Sequence, residues 1–268
     1  VSLPRQIFDS VDRMRRRVSE PVEKILVERL EREIQVHPCP RSIGIIMDGN
    51  RRWANLHGKK PWIGHRLGKE KVRELLDWCK RFQIRGLVLY AFSSENFSRP
   101  RAEVDEIMKL MKQGFDELAS DPLVSREGIR VRVIGRKHLL PEPVLQSIRT
   151  VEDISRENNA YDLTFAIAYG GRDEIIDATR SIAAKVRSGM LEPSSIDEET
   201  LSNHLYANIE DPDLIIRTSG EQRLSNFLPW QSVYSELHFT STFWPAFRYI
   251  DFLRALRAYQ KRDRRIGR

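Results

Sequence analysis

Ser42-Ile-Gly-Ile-Ile-Met47, running directly into Asp48-Gly-Asn-Arg-Arg-Trp53, decides how the rest of the chain is read. The apolar run is short and bounded by Pro40 and Gly49, so it reads as a buried strand. It stops at a carboxylate, a glycine, an amide and two guanidinium groups. Open α/β sheets bind ligands outside the carboxyl ends of their strands, so these groups fall where a ligand would sit. Asp48 suits a divalent cation. Gly49 lets the backbone approach a ligand closely. Arg51 and Arg52 suit a phosphate, because a planar guanidinium donates two parallel hydrogen bonds to it. A surface turn with solvated charges accounts for the six residues equally well, so their meaning depends on what other strands bring beside them.

Working outward, His57-Gly-Lys-Lys-Pro-Trp-Ile-Gly-His65 reads as a loop rich in cations and breakers. A helix is expected from about Leu67 to Phe82, with Val72, Leu75, Leu76 and Cys79 on one face. At its start His65 would meet free backbone N–H groups, where anions collect. Gly86–Phe92 is expected as a second strand, ending in Ser93-Ser-Glu-Asn-Phe-Ser-Arg-Pro100. A helix over 102–119 follows, then an alternating strand over 129–135 with one exposed face, then a helix over 141–158. Asp162–Ala168 is expected as the fourth strand, and Tyr169-Gly-Gly-Arg-Asp173 opens the next helix, its Gly-Gly pair compatible with a closely approaching ligand. Asp213–Arg217 is the fifth strand, Ser232–Phe239 a sixth, and a last helix covers 249–262. Ahead of all this, residues 1–40 carry apolar residues from Val11 to Ile34 at helical spacing, including Ile25 and Leu30. A basic cluster at Arg13, Arg15, Arg16 and Arg17 lies among them. That segment reads as an amphipathic helix with a solvated face, or as a basic contact with a membrane surface.

The alternation of strand and helix predicts an α/β fold: a mostly parallel sheet of about six strands with helices on both faces, preceded by an N-terminal helical extension. All strand ends then share one edge. That edge gathers Asp48, Asn50, Arg52, Ser93, Glu95, Asn96, Arg172, Arg217, Arg223 and Ser225. Convergence from separate strands describes a pocket for a diphosphate with Mg²⁺. No Walker-type loop is present, and no G-x-G-x-x-G follows the first strand, so nucleotide use is not indicated. The chain has 268 residues, 40% apolar and 31% charged, with net charge +7. These values fit a soluble globular protein with anionic partners. Two cysteines are too few for a disulfide scaffold and point to a reducing compartment. No apolar run approaches the ~20 residues that span a bilayer.

The motifs together resemble the cis-prenyltransferases, the undecaprenyl and dehydrodolichyl diphosphate synthase family. They are Ile45–Ala54, Gly64-His65, Tyr90–Pro100, Tyr169-Gly-Gly-Arg172, Ile216–Phe227 and Trp230-Gln-x-x-Tyr-x-Glu236, in family order. The resemblance covers roughly residues 40–268 and implies an extension over 1–40 and a catalytic domain over 41–268. It implies a Mg²⁺-dependent transferase of isoprenoid and lipid-carrier synthesis, condensing isopentenyl diphosphate with an allylic prenyl diphosphate to make cis double bonds. Asp48 would bind the metal, with Glu236 as the second metal-associated carboxylate. Gly49, Asn50, Arg51, Arg52 and His65 would hold the allylic diphosphate, and Arg217, Arg223 and Ser225 the isopentenyl diphosphate. Ser93, Glu95, Asn96 and Arg99 match a mobile loop at the reacting ends. Asn96 stands where the family's proton acceptor is often assigned; an amide is a poor base, so a positioning role is expected. Trp53, Ser94, Phe97, Leu224 and Gly267 complete the implied substrate-binding set. Arg265-Ile-Gly267 matches an R-x-G motif that reaches a neighbouring subunit, which implies a homodimer.

The hydrocarbon tail requires an apolar tunnel, which the 67–82 and 102–119 helices would line. Pro61 stands where many bacterial members carry an arginine, with Lys59 or Lys60 as replacements. Tyr161 lies near the implied tunnel floor, where a bulky residue favours a shorter product. Arg51 and Ser219 replace glycines common in bacterial members, as in the eukaryotic and archaeal branches. A cytoplasmic enzyme with peripheral membrane contact is the expectation. Three other functions compete with it. A non-catalytic partner subunit typically loses Asp48 and the arginines, which are present here. Transfer of the prenyl group to another acceptor, such as an alcohol, uses the same diphosphate sites. Nucleic-acid binding needs a stacking or groove-reading motif, and none is found.

Overall fold

The computed structural model describes residues 23–262. Two compact units divide the chain. One joins residues up to Cys39 with those from Arg248 onward; the other runs from Pro40 to Phe247.

The larger unit is built on a six-stranded, entirely parallel sheet. Its strands are β1 (Ser42–Ile46), β2 (Gly86–Ser93), β3 (Ile129–Ile134), β4 (Tyr161–Tyr169), β5 (Leu214–Arg217) and β6 (Glu236–Phe239), in the order β3-β4-β2-β1-β5-β6. The central strand β1 is buried at all five positions. A strand covered on both faces reads as an unbroken apolar run, which explains its sequence. At the edge, β3 alternates, with Arg130 and Arg132 on its more exposed side. The connecting helices are α2 (Asn50–Leu56), α3 (Pro61–Arg81), α4 (Arg101–Ser120), α5 (Pro122–Arg126), α6 (Glu142–Ser155), α7 (Gly171–Arg187) and α8 (Glu198–Ser202). One sheet face packs a cluster that includes Ile46, Tyr90, Tyr169 and Phe227. α7 reaches this face through Glu174, whose carboxylate accepts from the Tyr169 hydroxyl at 2.5 Å. The other face carries α3 and α4, with α6 against α4.

Helices α2 and α5 were not expected from the sequence, and two further differences bear on the site. α3 begins at Pro61, so residues 61–65 are helical and His65 sits in the second turn, away from the helix start. Proline is well placed at a first helical position, where its missing N–H costs nothing. Gly64 is no breaker: a Cβ there would lie 2.1 Å from the Asn50 carbonyl, so glycine lets α3 approach α2. The sixth strand is also shorter than expected. Residues 230–234 form turns, and pairing with β5 starts only at Glu236 opposite Leu214.

The smaller unit comprises α1 (residues 23–35) and α9 (Tyr249–Gln260) among its described residues. The Tyr249 hydroxyl donates to Glu31 at 2.5 Å, and Gln260 Nε2 donates to the Ile34 carbonyl at 2.9 Å, capping the end of α1. Leu30 and Ile34 are buried as their spacing predicts, whereas Ile25 is exposed. The basic cluster at 13–17 and the Arg265-Ile-Gly267 motif lie outside the described residues.

Candidate active site

β1 and β5 are hydrogen-bonded neighbours, although α2 to α8 separate them in the chain. From β1 the chain leaves to one side toward β2, and later returns on the other as β5. This reversal is a topological switch point, where parallel sheets open a crevice at the strand ends. Ile46 is level with Arg217, so both polar loops start at the same height. Asp48 Oδ2 accepts from Arg217 Nη2 at 3.0 Å and from Arg52 Nη2 at 3.1 Å. The backbone of Asp48 is fixed as well: its carbonyl accepts from Thr218 Oγ1 at 2.6 Å and from the Trp244 N–H at 3.0 Å. Gly49, with φ 103°, turns the chain from β1 into α2.

The arginines around Asp48 are tied together. Glu221 accepts from Arg52 at 2.8 Å and pairs with Arg223, so one carboxylate joins the α2 side of the crevice to the β5 side. Arg52 also lies over the Phe243 ring, 5.9 Å from its centre. The buried Arg217 donates to Ser225 Oγ at 2.8 Å and to the Arg223 carbonyl.

A short 3₁₀ turn over Ser94–Ser98 forms the wall above β2. Asn96 Oδ1 accepts from the Ser93 N–H at 3.2 Å, closing a reciprocal cap on this turn. An amide oxygen already engaged in this way is a weaker proton acceptor, which favours positioning over base chemistry. Next to it, the buried Glu103 of α4 collects three cationic or imidazole groups. Arg99 Nη1 stands 3.3 Å from it, His65 Nε2 3.7 Å and Arg51 Nε 4.0 Å. Burial, with Arg99 in support, holds the His65 pKa down to about 4 against the pull of Glu103. The ring is therefore neutral near pH 7.

Gly170 and Gly171, a pair compatible by sequence with a closely approaching ligand, admit the protein's own chain instead. A Cβ on Gly171 would meet Pro229 Cδ at 2.0 Å, and one on Gly170 would meet Asn226 Nδ2 at 2.8 Å. Arg172, just beyond, lines the crevice.

The crevice has a volume of about 830 Å³. It brings together Asp48, Gly49, Asn50, Arg51, Arg52 and His65 from the first loop and helix pair. To these it adds Ser93, Glu95, Asn96 and Arg99 from the turn, and Arg217 and Ser225 from the β5 side. It continues into a second cavity between α3 and α4, lined by Val72, Leu76, Leu110, Met111, Phe115, Leu118, Phe165 and Ile167 among others. The two share Met47, Asn50, His65, Ala91 and Ile107, so a polar cleft opens directly into an apolar channel. Phe165, Leu123, Val124 and Ile129 line the channel, and Tyr161 does not.

Other expected residues lie apart from the cleft. Trp53 stacks on His57 at 4.1 Å, Phe97 packs edge-on against Phe92, and Leu224 packs against the core cluster. Ser94 bonds to Asp173 and the Ala168 carbonyl, while Arg223 does not line the cleft itself but is tied to its edge through Glu221, which Arg52 shares. Glu236 opens β6 opposite Leu214, three residues before the level of Arg217, or ~10 Å at strand spacing. This chain alone therefore does not bring Glu236 beside Asp48. Gly267 falls outside the described residues. Reading the sequence residue by residue missed Glu103, Glu221 and Asn226. Each lay inside a quoted or neighbouring polar stretch, and the signal was an acid or amide set among arginines.

Similarity to known proteins agrees with this geometry. Residues 46–267 match the family model described as "Putative undecaprenyl diphosphate synthase". A tritrans,polycis-undecaprenyl-diphosphate synthase (geranylgeranyl-diphosphate specific) from Methanocaldococcus jannaschii is 51% identical over 250 residues, covering 92% of this chain and 89% of that protein. One of the same description from Pyrococcus horikoshii is 50% identical, covering 92% of each. These matches span more than residues 40–268 supply, so the likeness reaches into the N-terminal segment. Lavandulyl diphosphate synthase from Lavandula x intermedia, solved in complex with dimethylallyl diphosphate, superposes with a TM-score of 0.81 at 38% identity, covering 86% of this chain and 99% of that one. With a cleft of paired arginines around one aspartate at its switch point, and with matches of this extent to family model, relatives and fold, the chain belongs to the undecaprenyl diphosphate synthase family of cis-prenyltransferases.

Proposed function

We propose that this prenyltransferase is Mg²⁺-dependent and extends geranylgeranyl diphosphate with isopentenyl diphosphate, adding cis units to a long polyprenyl diphosphate. The observation that carries this reading is the continuity of the polar cleft with the apolar channel through Met47, Asn50, His65, Ala91 and Ile107. A substrate with a charged head and a growing hydrocarbon tail needs this juxtaposition. The primer is inferred from the geranylgeranyl specificity in the names of the relatives.

The donor set fits Mg²⁺. Among the described residues no group of three or more His, Cys, Asp or Glu side chains converges, and Asp48 and Glu95 are the acids lining the cleft. Mg²⁺ is commonly held by one or two carboxylates together with substrate phosphates and water, so a lone Asp48 suits it better than a closed protein cage would. When bound, it would neutralise the charge that develops on a departing diphosphate.

On this reading Asn50, Arg51 and Arg52 hold the allylic diphosphate, and Arg217, Ser225 and Arg223 hold the isopentenyl diphosphate. The allylic C–O bond breaks and its electron pair leaves with the diphosphate, where the guanidinium groups, already fixed by Glu221 and Asp48, stabilise the charge. The terminal alkene carbon of isopentenyl diphosphate bonds to the allylic carbon, and a proton leaves C2. Asn96 positions this end, and a diphosphate oxygen takes the proton. The channel volume of about 190 Å³ is small beside typical ligand pockets of ~300–1,000 Å³, so a lengthening tail must part α3 and α4. A homodimer in which Arg265-Ile-Gly267 reaches the neighbouring subunit, and a peripheral membrane contact for the insoluble product, belong to the same proposal. No helix among the described residues is long and apolar enough to cross a membrane.

The test is to incubate the purified protein with MgCl₂, isopentenyl diphosphate and allylic primers of increasing length, then read product masses and double-bond geometry. A ladder of cis-extended products, strongest from the geranylgeranyl primer, is expected. No elongation with both diphosphates still bound would replace the reading with transfer to another acceptor or a partner-subunit role.

A further inference from the structure

Asn226 joins three parts of the cleft. It adopts a left-handed backbone conformation, φ 67°, directly after Ser225 at φ 48°. Asparagine enters that region at low cost. Its carbonyl accepts from the Gly171 N–H at 2.8 Å, and its Oδ1 accepts from the Arg172 N–H, also at 2.8 Å. The opening N–H groups of a helix have no partner within it, so a residue from the loop after β5 caps α7. The remaining group, Nδ2, donates to Glu95 Oε1 at 3.4 Å. Glu95 is the neighbour of Asn96 in the 94–98 turn. On its other side Asn226 adjoins Ser225, whose Oγ accepts from Arg217 and whose carbonyl accepts from the Tyr90 hydroxyl at 3.3 Å. One side chain therefore touches the α7 start and the turn, and its backbone continues into the β5 loop.

We propose that Asn226 is a positioning residue for the condensation. It sets the loop carrying Arg223 and Ser225 in register with the turn carrying Asn96, and its bond to Glu95 is the contact that couples them. This inference rests on the reading of the cleft as a double diphosphate site. The simpler alternative is that Asn226 only caps α7. The close fit of Gly170 and Gly171 around it serves either role, so the Glu95 bond has to decide.

Asn226→Asp separates the two. Aspartate is isosteric, tolerates the left-handed region, still accepts from Arg172 N–H, and adds a negative charge that the N-terminus of α7 favours. Toward Glu95 it replaces a donor with a second carboxylate. A cap-only role predicts an N226D enzyme with wild-type kinetics and an unchanged or raised thermal midpoint. The positioning role predicts the same midpoint, a kcat/KM for isopentenyl diphosphate lowered about tenfold, and a KM for the allylic primer close to wild type. Glu95→Gln supplies a new donor to the introduced carboxylate, so N226D/E95Q should lose clearly less than the two single losses combined. Asn226→Ser, which keeps a cap acceptor but does not reach Glu95, gives a second route to the same loss if N226D fails to fold.

Wild-type kinetics in N226D, or strictly additive losses in the double variant, would overturn the proposal. Calorimetric binding of isopentenyl diphosphate to the same proteins keeps this separate from the reading of the reaction. If the wild type binds but does not elongate, the assigned reaction fails, while the coupling is still judged from the binding constants of the four proteins of the cycle.

Discussion

The polar cleft and the apolar channel are two ends of one crevice, built on opposite plans. In the cleft almost every functional side chain is held by another. Asp48 is gripped by Arg52 and Arg217, Arg52 and Arg223 by Glu221, and Arg99 by Glu103. In the channel specific partners hold the mouth and the base, as where Lys69 meets Glu117 and Phe115 meets Phe165 edge-on, but the apolar wall between them has none. Val72, Leu76, Leu110, Met111 and Leu118 are half-buried side chains on ordinary amphipathic helices. Charge must be preorganised to act on a transition state, whereas a hydrocarbon tail needs only an apolar surface that yields. The difference predicts a sharp response to substitution at one end and a graded response at the other.

The largest effect is expected at the most constrained residue. Asp48→Ala should lower kcat by ~10²–10³ while shifting KM far less. Retention of most of the turnover in steady-state assays would break the polar half of the comparison. Along the channel, Met111→Trp should shorten the product ladder yet leave the first condensation near its wild-type rate, read from product masses and single-turnover kinetics. An unchanged ladder would show that the tail takes another path. The smallest effect belongs to His65, where the two regions meet. Its native pKa of about 4 lies below the ordinary value of 6.5. Between these values the unfolded chain binds a proton that the native chain refuses, so stability falls as pH drops from 6.5 toward 4. His65 faces Glu103, Arg99 and Arg51. Replacing it with glutamine should flatten this part of the denaturation-versus-pH curve, and an identical slope in the variant would show that other groups set it.

The same contrast explains what could be read from the amino-acid sequence. The strand Ser42–Ile46 and its polar end were legible because a buried parallel strand leaves an unbroken apolar run and a ligand edge does not. The α3 and α4 stripes were expected to line a tunnel, but an apolar stripe facing a channel has the same periodicity as one facing core. Sequence periodicity therefore offered no floor, and Tyr161 proved not to line the channel. Breakers misled where tertiary contact reversed their meaning: Pro61 starts α3, Gly64 admits Asn50, and Gly170-Gly171 admit Asn226 and Pro229. Glu236 shows the limit of motif order. Strand register, which no local pattern encodes, places it level with Leu214 and away from Asp48. Glu103 and Glu221 were passed over because an acid among arginines in a linear sequence resembles any solvated charge run.

The shared carboxylates have a consequence for repeated turnover. After each condensation the new chain carries the diphosphate that entered with isopentenyl diphosphate, and the next cycle needs that group on the allylic side. On the proposed assignment the arginines of both sides meet on Asp48 and Glu221, with Arg52 and Arg217 each within 3.1 Å of the same Asp48 oxygen. The head group can then be handed across between overlapping sets of donors without leaving the protein. Processivity would be written into a pair of bridging acids, and the enzyme would work as a loom that shifts its thread by one stitch while never letting go of the end.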